Sequence, residues 1–200
     1  MSVSTEVVRK LENYALSILP NARISGFSHI RDVNQATCRI AALDRLLGKY
    51  PRQRDKIKAL VYSVSMNIND IAQWDKTRLI MSATTSYTRE EFQTAVIAGR
   101  FHVSPDTDPE TYLITHEFGH ILAERTTAVK EFRRYVEASS GLVDMRALSS
   151  AIAAGRISRY GKKWSEAIAE GFATMEISPA IASDLEQLAH EILVRKGGSQ

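Results

Sequence analysis

The apolar residues in the first part of the chain recur at helical spacing. They predict an amphipathic helix that ends before Pro20 and a second helix over residues 33–50, with Pro51 just past its end. A short strand is expected between them, in "ARISGF". The apolar positions are Val7, Val8, Leu11, Ala15, Leu16 and Leu19 in the first helix and Ile40, Leu43, Leu46 and Leu47 in the second.

The pattern changes in the middle of the chain. The segments "IKALVYSVSMNI" and "TRLIMSATTS" are rich in β-branched and aromatic residues, and the polar segment "NDIAQWDK" lies between or around them. These two segments predict strands, which we expect to pair in a small antiparallel sheet.

Helical spacing returns after Thr88 and continues almost to the end of the chain. Strands gathered early and helices gathered late predict an α+β fold in a single domain over residues 1–196. We expect a helical N-terminal part (1–55), a part with the sheet and one central helix (56–125), a helical part (126–196) and a frayed tail (197–200). The predicted helices cover residues 89–98, 109–125, 128–139, 144–154, 165–176 and 179–195.

Composition and charge narrow the class of protein. The 200 residues are 44% hydrophobic, enough for one sizeable core, and 26 basic against 23 acidic residues argue against nucleic acid as a partner. The lone Cys38 excludes an intramolecular disulfide and indicates a reducing compartment. No signal peptide and no run of about 20 apolar residues is present. We therefore expect no membrane partner and a cytoplasmic protein, or one carried in a virion or delivered by another system.

The run "ITHEFGHILAE" places polar groups where apolar residues would pack better. Asp108 and Pro109 are typical of a helix start, so His116 and His120 share one helical face, about 6 Å apart along the axis. Their imidazoles can converge on one ion, with Glu117 beside them. This HExxH pattern is typical of zinc hydrolases, in which the histidines bind Zn²⁺ and the glutamate is the general base for an activated water. The alternative is two surface histidines beside an unrelated acid.

A catalytic zinc usually takes a third protein ligand, which must come from elsewhere in the chain. Glu124 lies about 12 Å from His116 along the helix axis, which is too far, so a solvated or salt-bridged role is expected for it. The segment "WSEAIAEGFATME" supplies Glu166 and Glu170, four residues apart on a predicted helix. One of them should be the third metal ligand, and the other should orient a ligand histidine through its second ring nitrogen.

The HExxH run followed by "SEAIAE" resembles the gluzincin arrangement of thermolysin-like and especially anthrax-lethal-factor-like metallopeptidases. The resemblance implies a zincin-like fold and a zinc metalloendopeptidase, with Glu166 on the metal and Glu170 behind it; the reverse order stays open. The stretch "ISRYGKKWSEAIAEGFA" is similar to one in which a tyrosine stabilises the reacting oxygen, which implies that role for Tyr160. The alternative for Tyr160 is a turn aromatic packed on the next helix.

A looser similarity links the chain to phage-associated metallopeptidase domains, including minor head proteins. In such folds a strand like "RLIMSATTS" runs along the cleft and offers backbone groups to an extended peptide, before a turn like "FHVSP". The expected partners are a peptide or protein substrate and proteins of a phage or toxin system. His102 in the turn could line the cleft or serve as a surface or capping residue, while His29 and His190 fit no ligand spacing.

Two other functions remain open. One is a zinc-containing structural or binding protein, such as a virion or assembly component without turnover; Glu117 argues against it, because a structural site needs no proton acceptor. The other is a hydrolase of non-peptide amides.

Two sequence features beside these motifs carry further expectations. Gly119 lies inside a helix, which indicates close approach by another element, and we expect that element to be the Glu166 helix. A basic loop precedes the Glu166 helix and is either solvated surface or a region that favours acidic peptides or nucleic acid; its residues are Arg156, Arg159, Lys162 and Lys163.

Overall fold

A computed structural model describes residues 3–66 and 71–198. The amphipathic segments form helices close to the predicted bounds, and the described residues combine helices with one small sheet, so the mixed α and β class is confirmed. The helices are α1 Thr5–Ile18, α2 Val33–Lys49, α3 Arg89–Ile97, α4 Pro109–Ala123, α5 Ala128–Ser140, α6 Met145–Ala153, α7 Trp164–Ile177 and α8 Asp184–Leu193. The strands are β1 Arg23–Ser25, β2 Ala59–Ser63, β3 Ala72–Asp75 and β4 Arg78–Ser82.

The sheet is mixed, so the prediction of an antiparallel sheet is wrong. Its strand order is β1-β2-β4-β3, with β1 and β4 parallel to β2 and only β3 antiparallel to its neighbour β4. The two predicted segments are β2 and β4, and they are parallel because β3 lies between them in the chain: β3 brings the chain back antiparallel to β4, so β4 runs in the same direction as β2. The helix α2 returns the chain in the same way between β1 and β2, which are also parallel.

The strand at the free edge is β3, not the segment "RLIMSATTS". That segment forms β4, which is paired with β2 on one side and β3 on the other and so has no edge to offer a peptide. The short strand β3 was not predicted, because its residues, Ala72–Asp75, are partly or fully exposed and carry no apolar run. A helix packs beside it: α4 contacts β3 as well as α2 and α7.

The core lies between the sheet, α2, α4 and α7. Phe118 of α4 and Phe172 of α7 are fully buried, and their rings stack with centroids 6.2 Å apart. A Cβ added to Gly119 would lie 2.8 Å from the Ala169 Cα, so the predicted close approach of the two helices is confirmed. This approach holds the middle of α4 against the middle of α7.

The start of α4 has the predicted cap and one contact that was not predicted. The Asp108 carboxylate accepts a hydrogen bond from the Thr111 N–H at 2.8 Å, and Pro109 occupies the first turn. Glu110, which is 4% exposed, forms a buried ion pair with Arg39 of α2. The Arg39 guanidinium also donates to the Ser82 carbonyl at 2.6 Å. These contacts tie α4 to α2 and to the end of β4.

The C-terminal part differs from the prediction at one point. The predicted helix over 179–195 is divided: Pro179–Ile181 form a short 3-10 turn, and α8 begins only after Ser183, whose side chain accepts from the Glu186 N–H. Residues Val194–Gly198 form a π-helical turn, and the Gly197 carbonyl accepts a hydrogen bond from Gln53. The last two residues of the predicted frayed tail lie outside the described residues. None of the described helices is long and apolar enough to cross a membrane.

Candidate metal centre

Three side chains from α4 and α7 meet at one point. The Nε2 atoms of His116 and His120 lie 3.2 Å apart. The Glu166 Oε2 atom lies 3.2 Å from the first and 3.4 Å from the second. One helical turn separates the histidines on α4, and the packing of α7 against α4 brings the carboxylate from 50 residues away in the chain.

These distances fit a small divalent cation. Zinc binds imidazole nitrogen at about 2.0–2.1 Å and carboxylate oxygen at about 2.0–2.2 Å, so neighbouring donors of a tetrahedral site lie about 3.3–3.4 Å apart. The three edges between donor atoms, 3.2, 3.2 and 3.4 Å, match that spacing closely. Two nitrogens and one oxygen are also a donor set that zinc prefers. The residues present therefore fit the metal that the sequence predicts.

Glu170 lies behind His116. Its Oε1 atom is 2.7 Å from the His116 Nδ1, in a contact that is not aligned as a hydrogen bond, and its side chain is fully buried. The hydroxyl of Tyr112 donates to the same carboxylate, and the Ser158 hydroxyl donates to its other oxygen at 2.6 Å. Glu170 thus contacts the ring nitrogen that faces away from the cluster, whereas Glu166 contacts the Nε2 atoms of both rings.

The charges of these carboxylates change the titration of the cluster. Burial alone would lower the pKa of His116, but contacts with Glu166 and Glu170 outweigh it and raise that pKa to about 10. For Glu166, burial would raise the pKa, but hydrogen bonds from His116 and His120 hold it well below its ordinary value. Both shifts indicate a site that favours positive charge.

Glu117 points towards the sheet. Its Oε2 atom accepts a hydrogen bond from the Trp74 backbone N–H at 2.6 Å, and its side chain is buried. Ligand atoms of His116, Glu117 and His120 lie within 4.8 Å of one another, so this carboxylate also stands close enough to bind a cation. Glu166 is the better third ligand, because its oxygen lies at donor spacing from both imidazoles while the Glu117 oxygen is held by the strand.

Tyr160 lies on the open side of His116. Their ring centroids are 5.5 Å apart, and the tyrosine is 37% exposed. Its backbone N–H donates to the Arg100 carbonyl at 3.2 Å, which fixes the loop before α7. Burial and the charges of Glu166 and other nearby carboxylates raise the pKa of Tyr160 to about 12, so its hydroxyl stays protonated at neutral pH.

A cleft of 760 Å³ opens onto the cluster. One wall is β3 and the Lys76 that follows it, and the other includes the end of α4 and the start of α7. Glu117, His120, Tyr160 and Glu166 all line it. A smaller cavity of 30 Å³ adjoins it, lined by His116, Glu117 and Tyr160 together with apolar and aromatic side chains.

The remaining candidate residues lie in other contacts. His102 does not line the 760 Å³ cleft; its Nδ1 lies 2.7 Å from the buried Glu186 carboxylate, which raises the pKa of the imidazole. His190 contacts Glu176 at 2.8 Å, and His29 lies in a turn away from the cluster. The Glu124 carboxylate accepts from the Trp74 indole N–H at 3.4 Å, and the Glu124 backbone carbonyl accepts from the Lys56 ammonium at 3.4 Å.

The basic loop before α7 divides into two parts. Arg156 is half-buried and forms an ion pair with Asp184, whereas Arg159, Lys162 and Lys163 are exposed and belong to no ion pair of the described residues.

Three contributors to the site were missed in the sequence. Tyr112 lies one turn before His116 on the same helical face, so its spacing could have placed it near Glu170. Ser158 contributes a hydroxyl from a loop, and Trp74 contributes a backbone N–H from an edge strand. No regular spacing in the sequence relates either residue to the histidines.

No family model matches the chain, and neither the curated proteins nor the solved structures include a match.

Proposed function

We propose that the protein is a zinc-dependent metalloendopeptidase. The observation that carries the proposal is the triangle of two imidazole nitrogens and one carboxylate oxygen, with edges of 3.2–3.4 Å, beside the Glu117 carboxylate. Three protein donors on one side and a 760 Å³ cleft on the other are typical of catalytic zinc sites, which keep a coordination position open. A structural zinc site usually closes with four protein ligands, so this arrangement favours turnover.

His116, His120 and Glu166 would hold the zinc ion, and Glu170 would fix the His116 ring from behind. When bound, zinc supplies Lewis-acid polarisation of a carbonyl and acidifies water. Glu117 lies beside the histidines with one oxygen fixed by Trp74. It takes a proton from water as that water attacks the scissile carbonyl, and it returns the proton to the leaving amine nitrogen.

The Tyr160 hydroxyl donates a hydrogen bond to the carbonyl oxygen as negative charge develops there. Its position on the open side of His116 supports this role, and its pKa of about 12 keeps the donor hydrogen in place. A donor aimed at developing charge typically contributes a factor of about 10²–10³ to the rate.

The edge strand favours a peptide over other amides as the substrate. The Trp74 N–H faces away from β4, because it donates to Glu117, and in an antiparallel ladder the carbonyl of the same residue faces the same way. An outward backbone carbonyl beside the candidate base can pair with the N–H groups of an extended chain. A non-peptide amide has no such repeated groups to offer.

The test compares the wild-type chain with Glu117→Gln and Tyr160→Phe on a broad peptide library, with zinc content measured in each sample. Zinc should be retained in all three. Turnover should be lost in Glu117→Gln and should fall by about 10²–10³ in Tyr160→Phe. Tyr135→Phe, an exposed tyrosine outside the cleft, is the matched control. Full cleavage by Glu117→Gln, or zinc-loaded wild-type protein that cleaves no peptide, would defeat the proposal.

A further inference from the structure

Four cationic side chains surround the cleft at its open side. Lys76 follows β3, Arg125 follows α4, and Lys162 and Lys163 precede α7, so they approach the cleft from three separate elements. All four are exposed. Among the ion pairs of residues 3–66 and 71–198, none includes any of these four side chains.

The carboxylates that line the same cleft are all held by other groups. Asp75 pairs with Arg78, and Glu124 accepts from the Trp74 indole. Glu117 accepts from the Trp74 backbone, and Glu166 contacts the two imidazoles. A divalent cation would further offset the charges of the last two. Within residues 3–66 and 71–198, the cationic groups at the rim therefore have no carboxylate in an ion pair with them, although the chain as a whole carries a formal charge of only +3.

The basic surface continues beyond the cleft. A second cavity of 730 Å³ shares Tyr160 and Lys162 with the cleft and adds Arg100 and Arg159 to the lining. Tyr160, the candidate oxyanion donor, thus lies between two basic regions. The charged residues that line this second cavity are all basic, and a concave surface lined with one sign of charge concentrates ligands of the opposite sign.

We propose that this site selects acidic peptide segments, with glutamate or aspartate side chains of the substrate meeting Lys76, Arg125, Lys162 and Lys163. The inference rests on the proposed peptidase function, since it names the substrate class of that site. A protein segment is favoured over nucleic acid because the cations flank an outward backbone edge, which pairs with an extended peptide.

The experiment measures binding separately from cleavage. Full-length Glu117→Gln protein loaded with zinc is titrated into a fluorescein-labelled peptide rich in glutamate, a matched peptide with glutamine, and a single-stranded oligonucleotide of similar length. We expect the glutamate peptide to bind at least tenfold more tightly than the glutamine peptide, with an affinity that falls as salt is raised.

Two double variants locate the effect. In the Glu117→Gln background, Lys162→Gln with Lys163→Gln should weaken binding of the glutamate peptide by about fivefold to tenfold. Arg45→Gln with Arg52→Gln removes the same charge from exposed positions that do not line the cleft, and it should leave binding unchanged. A library cleaved by wild-type protein should show the same preference for acidic residues near the scissile bond.

The outcomes separate this inference from the peptidase proposal. Lysine-dependent binding of the glutamate peptide supports the inference even where wild-type protein shows no turnover. Equal affinity for the glutamate and glutamine peptides overturns it, including in a protein that cleaves peptides well. The inference is also overturned if the oligonucleotide binds more tightly than the glutamate peptide and the lysine double variant loses this binding. The cationic surface would then be a nucleic-acid surface.

Discussion

The backbone N–H of Trp74 donates to the Glu117 carboxylate at 2.6 Å, so strand β3 orients the glutamate that is the candidate base on helix α4. The contact joins two elements 43 residues apart in the chain. A carboxylate that is fixed at one oxygen keeps the other oxygen free to accept a proton. In the proposed reaction, the edge strand would orient the base as well as form a wall of the cleft.

Removing this N–H should slow the reaction without releasing the metal. Trp74→Pro deletes the donor, and proline is tolerated at an edge strand where the N–H faces outward. Trp74→Ala is the matched control, because it loses the indole but keeps the N–H. A hydrogen bond to a charged group contributes about 1.5–3 kcal/mol, so we expect peptide turnover at least about tenfold lower in the proline variant than in the alanine variant.

The measurements are kcat/KM on one cleaved peptide and zinc content for both variants. Equal turnover of the two variants, with both folded by circular dichroism, would show that the strand does not orient Glu117.

The two glutamates of α7 should differ in their effect on metal affinity. Glu166→Gln removes an oxygen that lies 3.2 and 3.4 Å from the imidazole Nε2 atoms, and we expect stoichiometric zinc to be lost. Glu170→Gln leaves the donor triangle intact and should weaken zinc binding by about 10–100-fold, as loss of a carboxylate behind a ligand histidine does. Competition with a chromophoric chelator gives both affinities. The opposite ranking of the variants would make Glu170 the ligand.

Gly119 should tolerate no larger side chain. A Cβ at this position would lie 2.8 Å from the Ala169 Cα, a backbone atom that cannot move aside alone, so Gly119→Ala must separate α4 from α7. We expect a loss of about 1–3 kcal/mol in the free energy of unfolding in urea, together with weaker zinc binding. Gly48→Ala in α2 is the control, because nothing lies within 4 Å of its added Cβ and alanine favours the helix by up to about 1 kcal/mol. Two variants of equal stability would contradict the packing argument.

The sequence predicted local features of the site better than distant ones. The positions of His116, Glu117 and His120 on one helix follow from helical spacing alone, and so does the alternative between Glu166 and Glu170 on another. The packing of α4 against α7 was indicated in the sequence by one residue, Gly119, because two helices approach this closely only where a side chain is missing.

Contacts between distant segments could not be derived in this way. The sheet was predicted antiparallel because the direction of β4 relative to β2 depends on β3, the strand between them in the chain, whose side chains give no strand pattern. The Arg39–Glu110 ion pair joins residues 71 positions apart, and a buried pair looks in sequence like any two surface charges. The strand β3 was not predicted because its side chains give no strand pattern. Its contact with the site is made by a backbone group, the Trp74 N–H, which any residue at that position except proline would supply.

Acid should destabilise the protein partly through Glu176 at the end of α7. Burial would raise its pKa, but hydrogen bonds from His190, Lys49 and Tyr50 outweigh this effect and lower the pKa from 4.5 to about 2. A carboxylate with a lowered pKa in the folded state stabilises it fully above about pH 5, and that stabilisation is lost as the pH falls towards 2. Because its side chain is only 8% exposed, the contribution reaches up to about 3 kcal/mol.

Glu176→Gln should therefore be less stable than wild type at pH 7, and the difference in unfolding free energy should shrink between about pH 5 and pH 2, since the protonated wild-type side chain then resembles the amide. Urea unfolding at several pH values measures this. The control is Glu191→Gln, on the exposed side of α8, because Glu191 forms no ion pair within the described residues. Its unfolding free energy should differ from that of wild type by a constant amount at every pH. If the unfolding free energy of Glu176→Gln also differed from that of wild type by a constant amount down to pH 2, His190, Lys49 and Tyr50 would not keep this carboxylate charged.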